Sequence, residues 1–182
     1  MNNDPVIIVP YDPGWTDIFK NEADLLHQTI PFTNIPIEHI GSTSVVGLAA
    51  KPIIDIMVGF ESLNDANTSI PSIETLGYRY IPEYEDQIPD RRYFHKPVNP
   101  PRNFHLHCTA INSNFWNKQI AFRDYLRSHP QVCADYQQLK EELAVQYRDD
   151  RSAYTEAKTD FILSILKIAL NESEKWKVEN YE

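Results

Sequence analysis

Apolar residues recur at helical spacing in the opening segment, where Trp15, Ile18, Phe19, Glu22, Leu25 and Leu26 share one stripe behind Asp12-Pro13. An acid followed by proline is a helix start, because the carboxylate caps free N–H groups and proline fits the first turn. The spacing predicts a helix of about sixteen residues, closed by Pro31 and Pro36. Two short apolar runs follow, Ile37–Ile40 and Ile53–Val58, each read as a strand. Between them the small residues from Gly41 predict a sharp turn and a short helix, kept thin against the sheet by Gly47, Ala49 and Ala50. A polar helix is expected over 63–76 with Gly77 as its stop, then a strand at 78–81. The proline-rich stretch 82–101 reads as a loop with a short strand, Arg92–His95, inside it. Residues 103–109 alternate, with Phe104, Leu106 and Cys108 on one face and His105 and His107 on the other, and pair with 92–95 as an antiparallel hairpin.

From Phe115 onward the period is helical. Helices are predicted over 115–128, 133–147 and 153–170, the last apolar nearly all round at FILSILKIAL and so expected to be buried. The pattern makes residues 1–182 one domain: an α/β core over 1–110, C-terminal helices over 111–172, and a polar tail, 173–182, expected to fray. A chain of 182 residues can bury a sizeable core. Its formal net charge of −9 argues against general nucleic-acid or anionic-membrane binding and leaves room for a small anion in a local basic pocket. No apolar run approaches the ~20 residues of a membrane helix, and the N-terminus lacks a secretory pattern. Two distant cysteines, Cys108 and Cys133, with no disulfide spacing, point to the cytoplasm.

One acid interrupts the second strand. Asp55 sits among isoleucines, on the face of Ile53 and Met57, and a charge there is costly without a partner. The turn residues Gly41, Ser42, Thr43 and Ser44 offer backbone amides and hydroxyls suited to phosphate. Lys51 either neutralises that phosphate or is a solvated lysine. His105 and His107 share a face and either hold a metal with Asp55 or hydrogen-bond to it or to phosphate. Glu22, Arg123 and Lys158 interrupt apolar stripes. Glu22 bridging Arg123 or Lys158 is the structural account, and Arg123 and Lys158 contacting phosphates the functional one. Arg91-Arg92 is a second candidate anion clamp, with Arg92 the residue assigned to phosphate.

The block GSTS-V-GL-AKPIID resembles the signature of the GrpB family, uncharacterised proteins placed in the nucleotidyltransferase superfamily. The resemblance extends to Tyr11–Trp15 with Phe19 and Glu22, Arg92-Tyr93-Phe94, His105-Leu106-His107, Phe122–Leu126 and Tyr154–Lys158. It implies a nucleotidyltransferase-like α/β (α+β) fold: a small mixed twisted sheet with flanking helices and a C-terminal helical bundle. In that superfamily Gly-Ser is followed by two alternating acids that hold divalent metals, and this chain has Asp55 but Met57 at the second place. A thioether is a poor ligand for Mg²⁺. The expected activity is metal-dependent transfer of a nucleotidyl group from a nucleoside triphosphate to an unknown acceptor. Asp55, His105 and His107 then serve as catalytic and metal-binding residues, with Mg, Mn or Zn as the cofactor. The alternatives are a non-catalytic nucleotide or coenzyme A binding module and a metal-dependent phosphoester hydrolase. Similar domains fused to dephospho-coenzyme A kinase also hint at a coenzyme partner.

Overall fold

The computed structural model describes residues 5–99, 101 and 103–181, with side chains up to 172. It holds five strands and six α-helices among the described residues: α1 (Gly14–Thr29), β1 (Ile37–Ile40), β2 (Ile54–Phe60), α2 (Leu63–Thr75), β3 (Arg79–Tyr80), β4 (Arg91–Lys96), β5 (Phe104–Ala110), α3 (Asn114–Ser128), α4 (Pro130–Gln146), α5 (Arg151–Glu156) and α6 (Thr159–Tyr181). The strands form one mixed sheet in the order β1-β2-β5-β4-β3. β2 and β5 run parallel at its centre, and every other pair is antiparallel, including the expected β4–β5 hairpin. Mixed α/β architecture is thus as the sequence implies.

The local chemistry explains most boundaries. Asp12 Oδ1 accepts the Gly14 N–H at 2.8 Å, closing the first turn of α1. Ser62 and Asp65 form a reciprocal capping box on α2, and Gly77 ends that segment with φ +85°. Two expectations fail. The segment after Gly41 is a three-residue 3₁₀ turn, Ser42–Ser44, followed by loop, and Gly47 at φ +83° turns that loop rather than thinning a helix. The single helix expected from Ala153 is broken at Ala157–Lys158, and its second half, α6, runs on to Tyr181, past Leu170. Leu163 and Ile168 lie on an exposed side of α6, so its apolar run is not enclosed. The side chains of 173–182 lie outside the described residues.

The sheet's two faces differ in chemistry. Ile54, Ile56, Val58, Phe60, Phe94, Leu106 and Cys108 form the core with Trp15 and Leu26 of α1, Ile30 just after it, and Ala66 and Ile73 of α2. On the opposite face the cross-strand neighbours are Ile40, Asp55, His105 and His95, then Met57, His107 and Tyr93. Ile40 and Met57 there pack with Phe115, Trp116 and Ile120 of α3. A strap ahead of α1 is tied down by Val6 N–H to Arg148 O at 2.7 Å and by reciprocal bonds between Val9 and Ala50 at 2.9 and 3.0 Å.

Glu22 is buried on the apolar side, where Lys96 Nζ reaches both its oxygens at 2.9 and 3.2 Å. The expected bridges to Arg123 or Lys158 do not form, because α1 and those residues lie on opposite faces of the sheet. A buried carboxylate stripped of its partner is strongly destabilising. Lys96→Met is therefore expected to cost about 2–3 kcal/mol in urea unfolding at pH 7, and a loss below about 1 kcal/mol would rank the pair with ordinary surface bridges.

Candidate functional site

Asp55 lies where β1, β2 and β5 meet. Gly41 follows β1 with φ +68° and ψ −176°, a combination open in practice only to glycine. A Cβ there would stand 2.3 Å from Asp55 Oδ2. The bend is thus pressed directly onto the carboxylate. Its hydroxyls mostly serve the bend itself: Ser44 Oγ donates to Gly41 O at 2.6 Å, and Thr43 Oγ1 donates to Ile53 O at 3.3 Å while bonded to His39 Nε2 at 3.0 Å. Burial, with Arg127 and Arg123 nearby, outweighs the pull of Asp55 and lowers the His39 pKa to about 4. A neutral His39 thus donates to Thr43. Ser42 and Thr43 line the hollow above Asp55, and Ser44 stands behind them.

The two imidazoles converge on Asp55 as expected. His105 Nδ1 is 3.0 Å from Asp55 Oδ1, and His107 Nε2 is 3.9 Å from the same oxygen. Their other nitrogens face guanidinium groups: Arg151 Nη2 at 3.2 Å from His105 Nε2, and Arg91 Nη1 at 3.1 Å from His107 Nδ1. Arginine only donates, so both of these nitrogens accept and both protons point toward Asp55. Burial lowers the His107 pKa to about 4, with Arg91 adding to it and Asp55 opposing. Burial works against the Asp55 charge, but the facing imidazoles hold its carboxyl below the usual carboxylate range. It is ionised at neutral pH.

This arrangement does not fit a metal centre. A metal needs the imidazole lone pairs, and both are taken by arginines. Among the described residues no group of three His, Cys, Asp or Glu side chains is placed to hold a metal ion. Met57, at the second-acid position, is fully buried and packs on Ile40 and Phe115.

Cations dominate the hollow instead. A cavity of about 270 Å³ is lined by Lys51, Lys140, Lys158 and Arg151 beside His105, Tyr154 and Thr155, with Asp55 the one carboxylate among the lining residues. Lys158 Nζ lies 4.3 Å from the Tyr154 ring centre and Lys51 Nζ 5.3 Å from it, while Lys140 Nζ donates to Ala49 O. Among the described residues no carboxylate comes within ion-pair distance of these four groups. Burial is the main force lowering the Lys51 and Lys140 pKa to about 7 and that of Lys158 to about 8, and neighbouring cations add to each.

The structure thus brings Gly41, Ser42, Thr43, Lys51, Asp55, His105, His107 and Lys158 together. It leaves three expected phosphate residues elsewhere, the first being Ser44, which lines a separate cavity with Arg123 and Arg127. Arg92 turns to the α2 side, bonded to Asn67 Oδ1 at 2.6 Å and paired with Glu85 at 3.1 Å. Arg123 clamps α3 to β1 through Glu38 Oε2 at 2.6 Å and His39 O at 3.1 Å. Lys140 and Arg151 escaped the sequence reading, Tyr154 enters it only through the family resemblance, and Arg91 enters it as an anion clamp rather than as the partner of His107. Two of them had signals: Lys140 falls on the stripe of Tyr136 and Leu143, and Arg91 shares strand parity with Tyr93, opposite Phe94.

The chain combines a mixed five-stranded sheet with a partly buried Asp-His pair under a Gly-Ser bend, and comparison places it in a family. The profile of the family described as GrpB protein matches residues 5–168, and the chain belongs to the GrpB family. It is 35% identical over 170 residues to glutamate-rich protein GrpB of Alkalihalophilus pseudofirmus, covering 91% of this chain and 97% of that one. The crystal structure of the conserved protein GrpB from Enterococcus faecalis superposes with a TM-score of 0.81 at 37% identity, covering 92% and 99% of the two chains. At greater distance, a dephospho-CoA kinase of Mycolicibacterium paratuberculosis is 26% identical over 95% of this chain and 48% of its own length.

The Gly41–Asp55 contact gives the test of the site's frame. Gly41→Ala meets both the backbone penalty and the collision, and is expected to lose about 3 kcal/mol or more in chemical denaturation. A variant as stable as the parent would show that the bend does not rest on Asp55.

Proposed function

We propose that this protein binds the phosphoryl group of a small molecule in the hollow above Asp55, using lysine and arginine rather than a divalent ion to balance its charge. One observation carries this reading: four cations crowd one small cavity of an otherwise acidic chain, with a single carboxylate among them. Like charges held together out of water are unfavourable, and a dianion between them relieves the repulsion. Arg151 and the lysines supply the donors a phosphate needs. Residues in the nucleotidyltransferase-like pattern and the distant likeness to dephospho-CoA kinase favour a nucleotide or coenzyme as the phosphate's bearer.

The Asp55–His105 hydrogen bond favours a second, catalytic reading of the same site. As a general base, His105 Nε2 would have to exchange the Arg151 N–H it accepts for the O–H of the acceptor, with Nδ1 still held on Asp55. In nucleotidyl transfer the acceptor O–H would give its proton to Nε2 while its oxygen bonds to the α-phosphorus. The bond to the departing pyrophosphate breaks, and the lysines take up its charge. No step passes through a metal.

Calorimetric titration with pyrophosphate in the presence of a chelator tests the binding. Lys158→Ala is expected to weaken it about tenfold or more, and Asp55→Asn to preserve or tighten it. Sulfate, whose charge is constant over the range, should bind less tightly as pH rises from 6.5 to 8.5, because the lysines titrate near 7 and 8 and only their charged forms attract anions. Binding that requires a divalent ion, or ignores both lysine loss and pH, refutes the proposal. If triphosphate turnover is also seen, Asp55→Asn should abolish it while leaving affinity intact.

A further inference from the structure

Lys51 and Arg151 each face two hollows. On one side lies the cationic cavity above Asp55, and on the other a recess of about 200 Å³ lined by Pro5, Val6, Ile7, Pro52, Ile53 and Pro101. Ile53 is also common to both linings. Apart from the two shared cations, the recess presents no polar side chain among the described residues. Its outer wall is the N-terminal strap, and the strap is fixed: Val6 is buried against Leu143, Ala144 and Tyr154, and its N–H is bonded to Arg148. The recess is therefore preformed. Ile7, next along the strap, stays half-exposed beside it.

Size points the same way. Pockets for small molecules run from roughly 300 Å³ upward, and the cationic cavity at about 270 Å³ falls below that on its own. It suits a phosphate group, while the apolar recess adjoins it across the residues that would grip that phosphate.

We infer that the ligand is a phosphate ester with two distinct ends. Its phosphate occupies the cationic cavity, and a compact apolar group next to the ester oxygen fills the recess of Pro5, Val6, Ile7, Pro52 and Pro101. Apart from Lys51 and Arg151, which would grip the phosphate, the recess has no side-chain donors or acceptors among the described residues to read the edge of a polar ring or the hydroxyls of a sugar, so it selects by burial rather than by hydrogen bonding. Esters of apolar alcohols are the preferred class, and polyol phosphates the disfavoured one. This inference rests on the phosphoryl-binding reading given above, and it puts an apolar alcohol in place of the nucleotide as the phosphate's bearer.

Three probes separate the two ideas: inorganic phosphate, glycerol phosphate and phenyl phosphate, each titrated into the full chain with a chelator present. Phenyl phosphate should bind about tenfold more tightly than the other two. Ile7→Asn, at a half-exposed position where folding is not at risk, should remove that preference and leave inorganic phosphate binding unchanged. Lys158→Ala should weaken all three. If the three bind equally, or if the preference survives Ile7→Asn, the recess is not the apolar subsite and the inference falls while the phosphate site stands. If none of the three binds, the phosphate site falls and takes the inference with it.

Discussion

The contact between the Gly41 backbone and the Asp55 carboxylate is the constraint on which this site depends. β1 must turn immediately beyond Ile40, and Ile40 is the antiparallel partner of Asp55. With no side chain at the turn, the backbone closes over the acid. Any Cβ would push the bend off the sheet, and with it Thr43, which hangs between His39 and the carbonyl of Ile53. The glycine thus serves two ends at once. It provides the backbone geometry and the room for a charge that the strand could not otherwise hold.

That charge is tolerated because it is surrounded in layers. Two imidazoles donate toward Asp55, and two arginines donate in turn to the imidazoles, so each layer fixes the protonation of the one inside it. Beyond them the lysines face the cavity without ion-paired carboxylates among the described residues. A structural ion-pair network would have been closed with acids, as Glu22 closes on Lys96 across the sheet. The Asp55 face is left with surplus positive charge, the condition of a surface that waits for an anion.

Much of this was legible in the chain. Strand alternation put His105 and His107 on the face of Asp55, and strand-turn-strand order put Gly41 beside it, because period two and register leave little choice. What escaped notice depended on how helices dock. Arg123 and Lys158 both interrupt apolar stripes, yet only Lys158 reaches the hollow; Arg123 meets Glu38 first. Arg151 belongs to a helix whose start is set by Asp150 accepting the Ala153 N–H, and no periodicity marks which side of so short a helix faces inward. The break at Ala157–Lys158 carries no glycine or proline, so tertiary packing, not local propensity, decides it.

Met57 shows why a pattern match and a structure can part company. By alternation it belongs to the face of Asp55, which is why the resemblance expects an acid there. Docking of α3 covers that end of the strand: Met57 is sealed among Ile40, Phe115, Trp116 and Ile120. A carboxylate in its place would be buried in an apolar cluster, with His107 nearby already committed to Arg91. The same helix that closes the second position leaves the first open toward α4, α5 and the break after α5, which bring Lys140, Arg151 and Lys158. Charge that two acids and a metal would manage between them is here arranged the other way round, with one acid, one arginine and three titrating lysines. On the reading proposed above, the affinity for a phosphate would follow the protonation of lysines rather than the supply of a metal.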